Sequence, residues 1–390
     1  MTLRQIPVGA GAAALDLLSA LRAALAGGPA LIPYAAGSPL PGLPDPLGPL
    51  PNGLALVVST SGSTGSPKRA MLTADALTAS ATATHDVLGG PGSWLLSMPA
   101  QHIAGLQVLV RSLLAGTHPA VMDLTEGFTP TAFTAAANEH AAAANGTARY
   151  TALVPTQVAR LVDDSAAAAA LATYDAVLVG GARTPAPVRA RAARAGIKLV
   201  PTYGMSETAG GCVYAGRPLP GARARIDQGR VLLGGATLAT GYLARPDLTD
   251  AAFTTDEVGT RWFRTDDVGH LDEDGELHVD GRLDDLVNTG GYKVSPRAVE
   301  DAILGRVTGI RDVVVVGAPD PTWGEVVCAA LVADDPDRPD LGRDAVRERL
   351  RDALPPHALP HRIRVVDTLP QRGPGKPDRR AISNWFTMGG

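Results

Sequence analysis

Apolar runs recur along the chain at Leu54–Val58, Trp94–Met98, Ala152–Val154, Ala176–Val179 and Lys198–Pro201, with alanine-rich stretches between them. Such alternation predicts strands crossed by helices in a parallel or mixed sheet. Ala132–Ala144 and Val158–Ala172 read as plain helices, because alanine loses least on helix formation. The start, Met1 to Ala26, sets Arg4, Asp16 and Arg22 among apolar residues at helix-like spacing and predicts an amphipathic helix. From Ala36 to Gly53 proline and glycine recur every few residues, which forbids a helix and predicts a surface loop leading into a strand. Beyond Gly216 the pattern turns β-like. Val231–Leu233 reads as a strand, and within Gly269–Val279 the turn Asp272-Glu273-Asp274-Gly275 separates two more. Strands at Val313–Gly317 and Val326–Val332 and an amphipathic helix near Arg343–Leu354 then form a further unit. The expected fold is α/β, with a large N-terminal domain of mixed sheets and flanking helices over residues 1–283. A small α+β C-terminal domain follows over 284–390, the boundary falling near Asp284.

Composition narrows the function classes. With 45% hydrophobic and 19% charged residues, the 390-residue chain is expected to be globular rather than disordered. Its 35 basic and 39 acidic residues give a formal charge of -4, which leaves no broad basic field for nucleic acid or anionic lipid. Cys212 and Cys328 stand far apart with no partner at metal-ligand spacing and read as buried small hydrophobes in a reducing compartment. No apolar run reaches the roughly 18 residues that span a bilayer, and the start has no signal-type cleavage pattern. The expectation is a cytoplasmic protein without membrane insertion.

The richest chemistry lies in Thr60-Ser61-Gly62-Ser63-Thr64-Gly65-Ser66-Pro67-Lys68, directly after the apolar run Leu54–Val58. Glycines let backbone N–H groups approach an anion, hydroxyls add donors and a lysine supplies a point charge, so the stretch suits a polyphosphate. It is not a Walker loop, because Pro67 precedes the lysine and Arg69 follows it. The stretch resembles the glycine-rich motif of the acyl-adenylate-forming (ANL) superfamily, which includes acyl-CoA synthetases, luciferases and peptide-synthetase adenylation domains.

That resemblance demands further motifs in order, and they occur. Tyr203-Gly204-Met205-Ser206-Glu207 is similar to the family's Tyr-Gly-x-Thr-Glu. By this likeness Tyr203 stacks on adenine, Ser206 bonds the α-phosphate and Glu207 holds a magnesium ion. Gly180-Gly181-Ala182 resembles the segment between the adenine and acyl sites. Phe263-Arg264-Thr265-Asp266-Asp267 resembles a motif whose last aspartate, here Asp267, accepts the ribose hydroxyls. Asp266 replaces the usual glycine, which implies a left-handed backbone position that aspartate tolerates. Gly281 to Glu300 resembles the junction of the two family domains, with Arg282 at the ribose and Asp284 as a hinge. Gly290 and Gly291 would line the thiol's path once the C-terminal domain has rotated. Lys376, in Pro374-Gly375-Lys376, takes the place of the catalytic lysine, and His102 that of the histidine at the acyl pocket, beside Gly180 and Gly204.

The resemblance implies ATP, Mg2+ and coenzyme A as co-substrates and cofactor, and a small carboxylic acid as the other partner, with homodimer formation left open. The chemistry that the resemblance implies requires no protein nucleophile, which agrees with the absence of a Ser-His-Asp or Cys-His constellation. The segment before the phosphate loop is shorter than is usual in the family. That compactness and the stretch Gln101–Arg111 are similar to the o-succinylbenzoate:CoA ligases of menaquinone biosynthesis. Another aromatic or short-chain acid, or an amino acid, is the alternative. A second carboxylate on the acid would want a cation or dense donors, for which Arg217 and Arg111 are the candidates, a surface position being the alternative for either.

Overall fold

The computed structural model describes residues 2–45, 47–60, 68–336, 338–373 and 376–387. Four sheets carry its architecture. The first runs in the order Leu3–Val8, Ala30–Ala35, Leu54–Ser59, Arg69–Thr73, Gly241–Tyr242, the first three strands parallel and the rest antiparallel. This corrects the helix expected over Met1–Ala26. Leu3–Val8 pairs with Ala30–Ala35, and the α-helix covers only Leu17–Leu25, burying Leu17, Leu21 and Ala24. Pro7 offers no N–H to a helix, whereas strand pairing satisfies its neighbours' backbone groups.

The second sheet has seven strands in the order Arg217–Pro218, Gly210–Tyr214, Leu199–Met205, Ala176–Val179, Arg149–Leu153, Ser93–Leu96, Ala120–Val121. From Leu199–Met205 outward to Ala120–Val121 all neighbours are parallel. Helices on both faces bury the inner strands completely, and this is why Trp94–Leu96 and Ala176–Val179 carry no polar alternation. The helix expected over Val158–Ala172 is two helices, Pro155–Val162 and Ser165–Ala172. Asp164 breaks the run by accepting the Ala167 N–H at 2.9 Å, a cap that begins a new helix.

The third sheet is antiparallel: Ala222–Asp227, Arg230–Gly235, Arg261–Leu271 and Phe253–Thr255, with Leu277–Arg282 paired to Arg261–Leu271 through the expected Asp272–Gly275 turn. The fourth is built from later residues, Tyr292–Val294, Val287–Thr289, Gly324–Ala333, Ile310–Asp320 and Arg362–Val365. Its long strand shows the two-residue period plainly. Val313 and Val315 pack with Val299, Ile303, Val346 and Leu350 of the helices Pro296–Arg306 and Arg343–Leu350, whereas Val314 and Val316 pack with Ile382 and Phe386 of Arg379–Thr387. The architecture is thus a large N-terminal and a small C-terminal α/β unit. Among the described residues no helix is long and apolar enough to cross a membrane. Both cysteines are buried and unpaired.

Candidate active site

Side chains from the first three sheets converge beyond the carboxyl ends of the parallel strands, where α/β sheets commonly bind ligands. Val179 ends one strand and leads into Gly180, Gly181 and Ala182. The next strand, Leu199–Met205, carries Tyr203 and Gly204 and runs into a single 3-10 turn, Ser206–Thr208. Ala209 at φ 53° and Gly210 at φ 96° then reverse the chain, so that Gly210–Tyr214 returns antiparallel to Leu199–Met205. A left-handed alanine is strained, and here it is set against the turn that carries Glu207. Two glycines make the approach possible. A Cβ on Gly180 would lie 2.5 Å from Thr202 Oγ1, and one on Gly204 would lie 2.1 Å from the Gly210 carbonyl oxygen.

Ser206 and Glu207 are buried. The Tyr242 hydroxyl, from the edge strand of the first sheet, donates to Glu207 Oε1 at 2.8 Å, and the Ala239 N–H donates to the Glu207 carbonyl at 2.8 Å. Burial raises the Glu207 pKa, and the Tyr242 hydrogen bond opposes that shift. No ion pair reaches its carboxylate among the described residues. The Lys68 ammonium stands 5.3 Å from the centroid of the Tyr242 ring, and the Lys68 carbonyl accepts the Thr60 N–H at 2.8 Å. Thr60 and Lys68, at the two ends of the glycine-rich stretch, therefore sit beside the Glu207 turn.

The third sheet joins through Tyr203, whose hydroxyl donates to Asp267 Oδ2 at 2.6 Å. Burial raises the Asp267 pKa against the lowering effects of Tyr203 and Arg282. Burial also raises that of Tyr203, and the neighbouring carboxylate adds to it. Arg282 reaches Asp267 at 3.9 Å, Asp266 at 3.6 Å and Asp284 at 2.9 Å. Asp266 does not take the left-handed φ that its replacement of a glycine implied; it lies in the extended strand Arg261–Leu271.

Ser61, Gly62, Ser63, Thr64 and Gly65 are outside the described residues, as is the Lys376 side chain, although Lys376 opens the short strand Lys376–Pro377. His102 is exposed at the N-cap of the helix Ile103–Ala115. Gly290 takes φ 56° and donates its N–H to the Trp323 carbonyl at 2.9 Å, and Gly291 follows at φ 83°. Of the two candidate cations, Arg217 is the surface residue: its side chain is 73% exposed and paired with Glu276 at 3.0 Å. Arg111 is buried, over the Trp94 ring at 5.0 Å and donating to Tyr214 Oη at 3.2 Å. The residue that the sequence reading missed is Tyr242. Its signal is only a Gly-Tyr pair in a two-residue strand, with its partner 35 positions away.

Residues 13–243 match the AMP-binding enzyme family and residues 299–376 match the AMP-binding enzyme C-terminal domain. The chain belongs to the AMP-binding enzyme family. The family expected from the motifs is therefore the one found. Within it, the chain is 49% identical to the probable 2-succinylbenzoate-CoA ligase of Mycobacterium tuberculosis, over 85% of either chain. It is 32% identical to the sulfoacetate-CoA ligase of Cupriavidus necator, over 90% of this chain and 69% of that one. Among solved structures, the o-succinylbenzoate CoA synthetase of Bacillus subtilis with its acyl-adenylate OSB-AMP matches with a TM-score of 0.70 at 25% identity, over 84% of this chain and 69% of that one. The amide bond synthetase of Marinactinospora thermotolerans matches with a TM-score of 0.79 at 25% identity, over 99% and 90%.

Proposed function

We propose that this chain is an AMP-forming acyl-CoA ligase that converts 2-succinylbenzoate to its CoA thioester. The observation that carries the enzyme class is the meeting of Lys68, Tyr242 and Glu207 with the Tyr203–Asp267 pair, groups drawn from three sheets. The acid is carried by likeness to the Mycobacterium tuberculosis and Bacillus subtilis enzymes.

In the first half-reaction an oxygen of the substrate carboxylate attacks the α-phosphorus of ATP. The bond to the bridging oxygen breaks and pyrophosphate leaves, so charge gathers on several oxygens at once. Thr60, Ser61, Gly62, Ser63, Thr64, Gly65 and Lys68 supply donors and a cation to the phosphates, and Lys376 supplies a second cation. Tyr203 offers its ring to adenine, beside Gly181 and Ala182. Ser206 donates to the α-phosphate, and Asp267 accepts the ribose hydroxyls next to Arg282. Glu207 fits a magnesium ion: a buried hard-oxygen ligand, bonded on Oε1 by a neutral hydroxyl and, among the described residues, paired with no cation. When bound, that ion supplies charge neutralisation at the phosphates.

In the second half-reaction the sulfur of coenzyme A attacks the adenylate carbonyl, the thiol proton is lost and AMP leaves. His102, Gly180 and Gly204 flank the acyl group, and Gly290 and Gly291 line the thiol's path. A rotation of residues 284–390 about Asp284 exchanges Lys376 for that path.

The test is carboxylate-dependent pyrophosphate release over a panel of acids, with and without coenzyme A. 2-Succinylbenzoate is expected to give the highest kcat/KM, with thioester and AMP in equal amounts. Turnover of amino acids alone overturns the reading.

A further inference from the structure

We infer that Tyr242 is a positioning residue for the metal-binding carboxylate: its hydroxyl occupies Glu207 Oε1, which fixes the plane of the carboxylate and leaves the other oxygen to the magnesium ion of the nucleotide complex. The inference rests on the reading of Glu207 as the magnesium ligand.

Tyr242 is 3% exposed, so its hydroxyl must find a partner inside the protein, and the partner is a carboxylate from another sheet. The phenol has little freedom to choose otherwise. The Tyr242 N–H donates to Thr249 Oγ1 at 2.9 Å, Tyr242 pairs with Ala70 in the first sheet, and its ring packs edge-to-face with Phe253, the centroids 5.8 Å apart. Gly241 before it takes φ 150°, and a Cβ there would lie 2.5 Å from Thr249 Cγ2, so only glycine lets the chain enter the strand at this angle.

Glu207 is held at two points by one short segment. Ala239 fixes its main chain and Tyr242 its side chain. Arg261 braces that segment in turn, donating to the carbonyls of Ala239 and Thr240. A hydroxyl in this place orients a carboxylate without neutralising it, which an arginine or lysine would do. The same ring lies under the Lys68 ammonium at 5.3 Å, so one side chain sets the spacing between the anionic ligand and the phosphate-loop cation.

The experiment compares wild type, Tyr242→Phe and Glu207→Gln. ATP binding is measured by calorimetry without acid, in EDTA and across a magnesium titration, with a thermal melt of each protein as the folding control. Partners that orient a metal ligand are typically worth roughly 10- to 100-fold in metal affinity. Tyr242→Phe is therefore expected to raise the half-saturating magnesium concentration about 10-fold, while ATP binding in EDTA stays within about twofold of wild type, a split that mere loosening of the site would not produce. If Glu207→Gln moves the magnesium dependence and Tyr242→Phe does not, the positioning role is wrong. If neither variant moves it, the assignment of Glu207 to the metal fails as well.

Discussion

Alanine at position 204 puts a methyl group where no atom fits. Gly204 pairs with Gly211 across the two strands that carry Tyr203 and close the Ser206–Thr208 turn. Its Cβ would stand 2.1 Å from the Gly210 oxygen, 2.7 Å from Gly211 Cα and 2.9 Å from the Gly210 carbonyl carbon. All three are backbone atoms, so no side chain can swing aside. To restore even the 3.0 Å that real Cβ atoms essentially never undercut, the facing backbone must retreat by about 0.9 Å. Overpacking of this kind costs roughly 1–3 kcal/mol. The catalytic cost is larger, because a displacement of about 1 Å in a positioned group can lower a rate on the order of 100-fold. Gly204→Ala is expected to lose about that much in kcat/KM for pyrophosphate release, with a lowered melting temperature. Gly305→Ala is the control: it lies in the helix Pro296–Arg306 with open space around the new methyl, and should leave turnover intact while holding or raising the melting temperature. Wild-type turnover in a Gly204→Ala protein that melts normally would refute the reasoning.

Further predictions address the second half-reaction, the domain contact and pH. Lys376→Ala is expected to lose adenylation roughly 10²- to 10³-fold yet still convert supplied acyl-adenylate to thioester; equal loss in both steps rejects the two-orientation scheme. Arg183 follows Ala182 and pairs with Asp301 on the helix Pro296–Arg306, both side chains partly exposed. Arg183→Ala should therefore cost no more than about 1 kcal/mol in denaturant unfolding, but shift the ratio of adenylate accumulation to thioester formation measured in single turnover. An unchanged ratio counts against a role for that pair in domain orientation. His140 is buried, its Nε2 2.8 Å from Ser93 Oγ and its Nδ1 3.2 Å from Tyr174 Oη, and burial pushes its pKa down to about 4. The unfolded chain, with an ordinary pKa near 6.5, binds that proton first, so stability is complete above about pH 6.5 and falls as pH drops through 4. Unfolding of His140→Gln followed from pH 7 to pH 4 should show a flatter acid limb than wild type; an identical slope removes His140 from the account.

The legible parts of the site are those whose chemistry lies in consecutive residues. Thr60–Lys68 and Tyr203–Glu207 stand out in the sequence because a loop that would cradle phosphate uses its own backbone and adjacent side chains, which leaves a contiguous signature. The cations proposed for a second carboxylate had no such signature. Arg217 is at the surface with Glu276, and Arg111 is enclosed by Trp94 and Tyr214, because exposure is a property of packing rather than of residue type.

The same division runs through the fold. Composition and unbroken apolar runs were sufficient for the class of fold and for the central strands, since a strand covered on both faces must be apolar along its length. Leu3–Val8 became a strand only through pairing with Ala30–Ala35, and the break before Ser165 only through the Asp164 cap. Tyr242 acquires its meaning from Glu207, 35 residues earlier and in another sheet. Hydrogen bonds between distant segments leave no local periodicity, so the sequence alone determined the family, the expected triphosphate chemistry and most of the elements. Which side chains hydrogen-bond across sheets, as Tyr242 does to Glu207 and Tyr203 to Asp267, was decided by the tertiary structure.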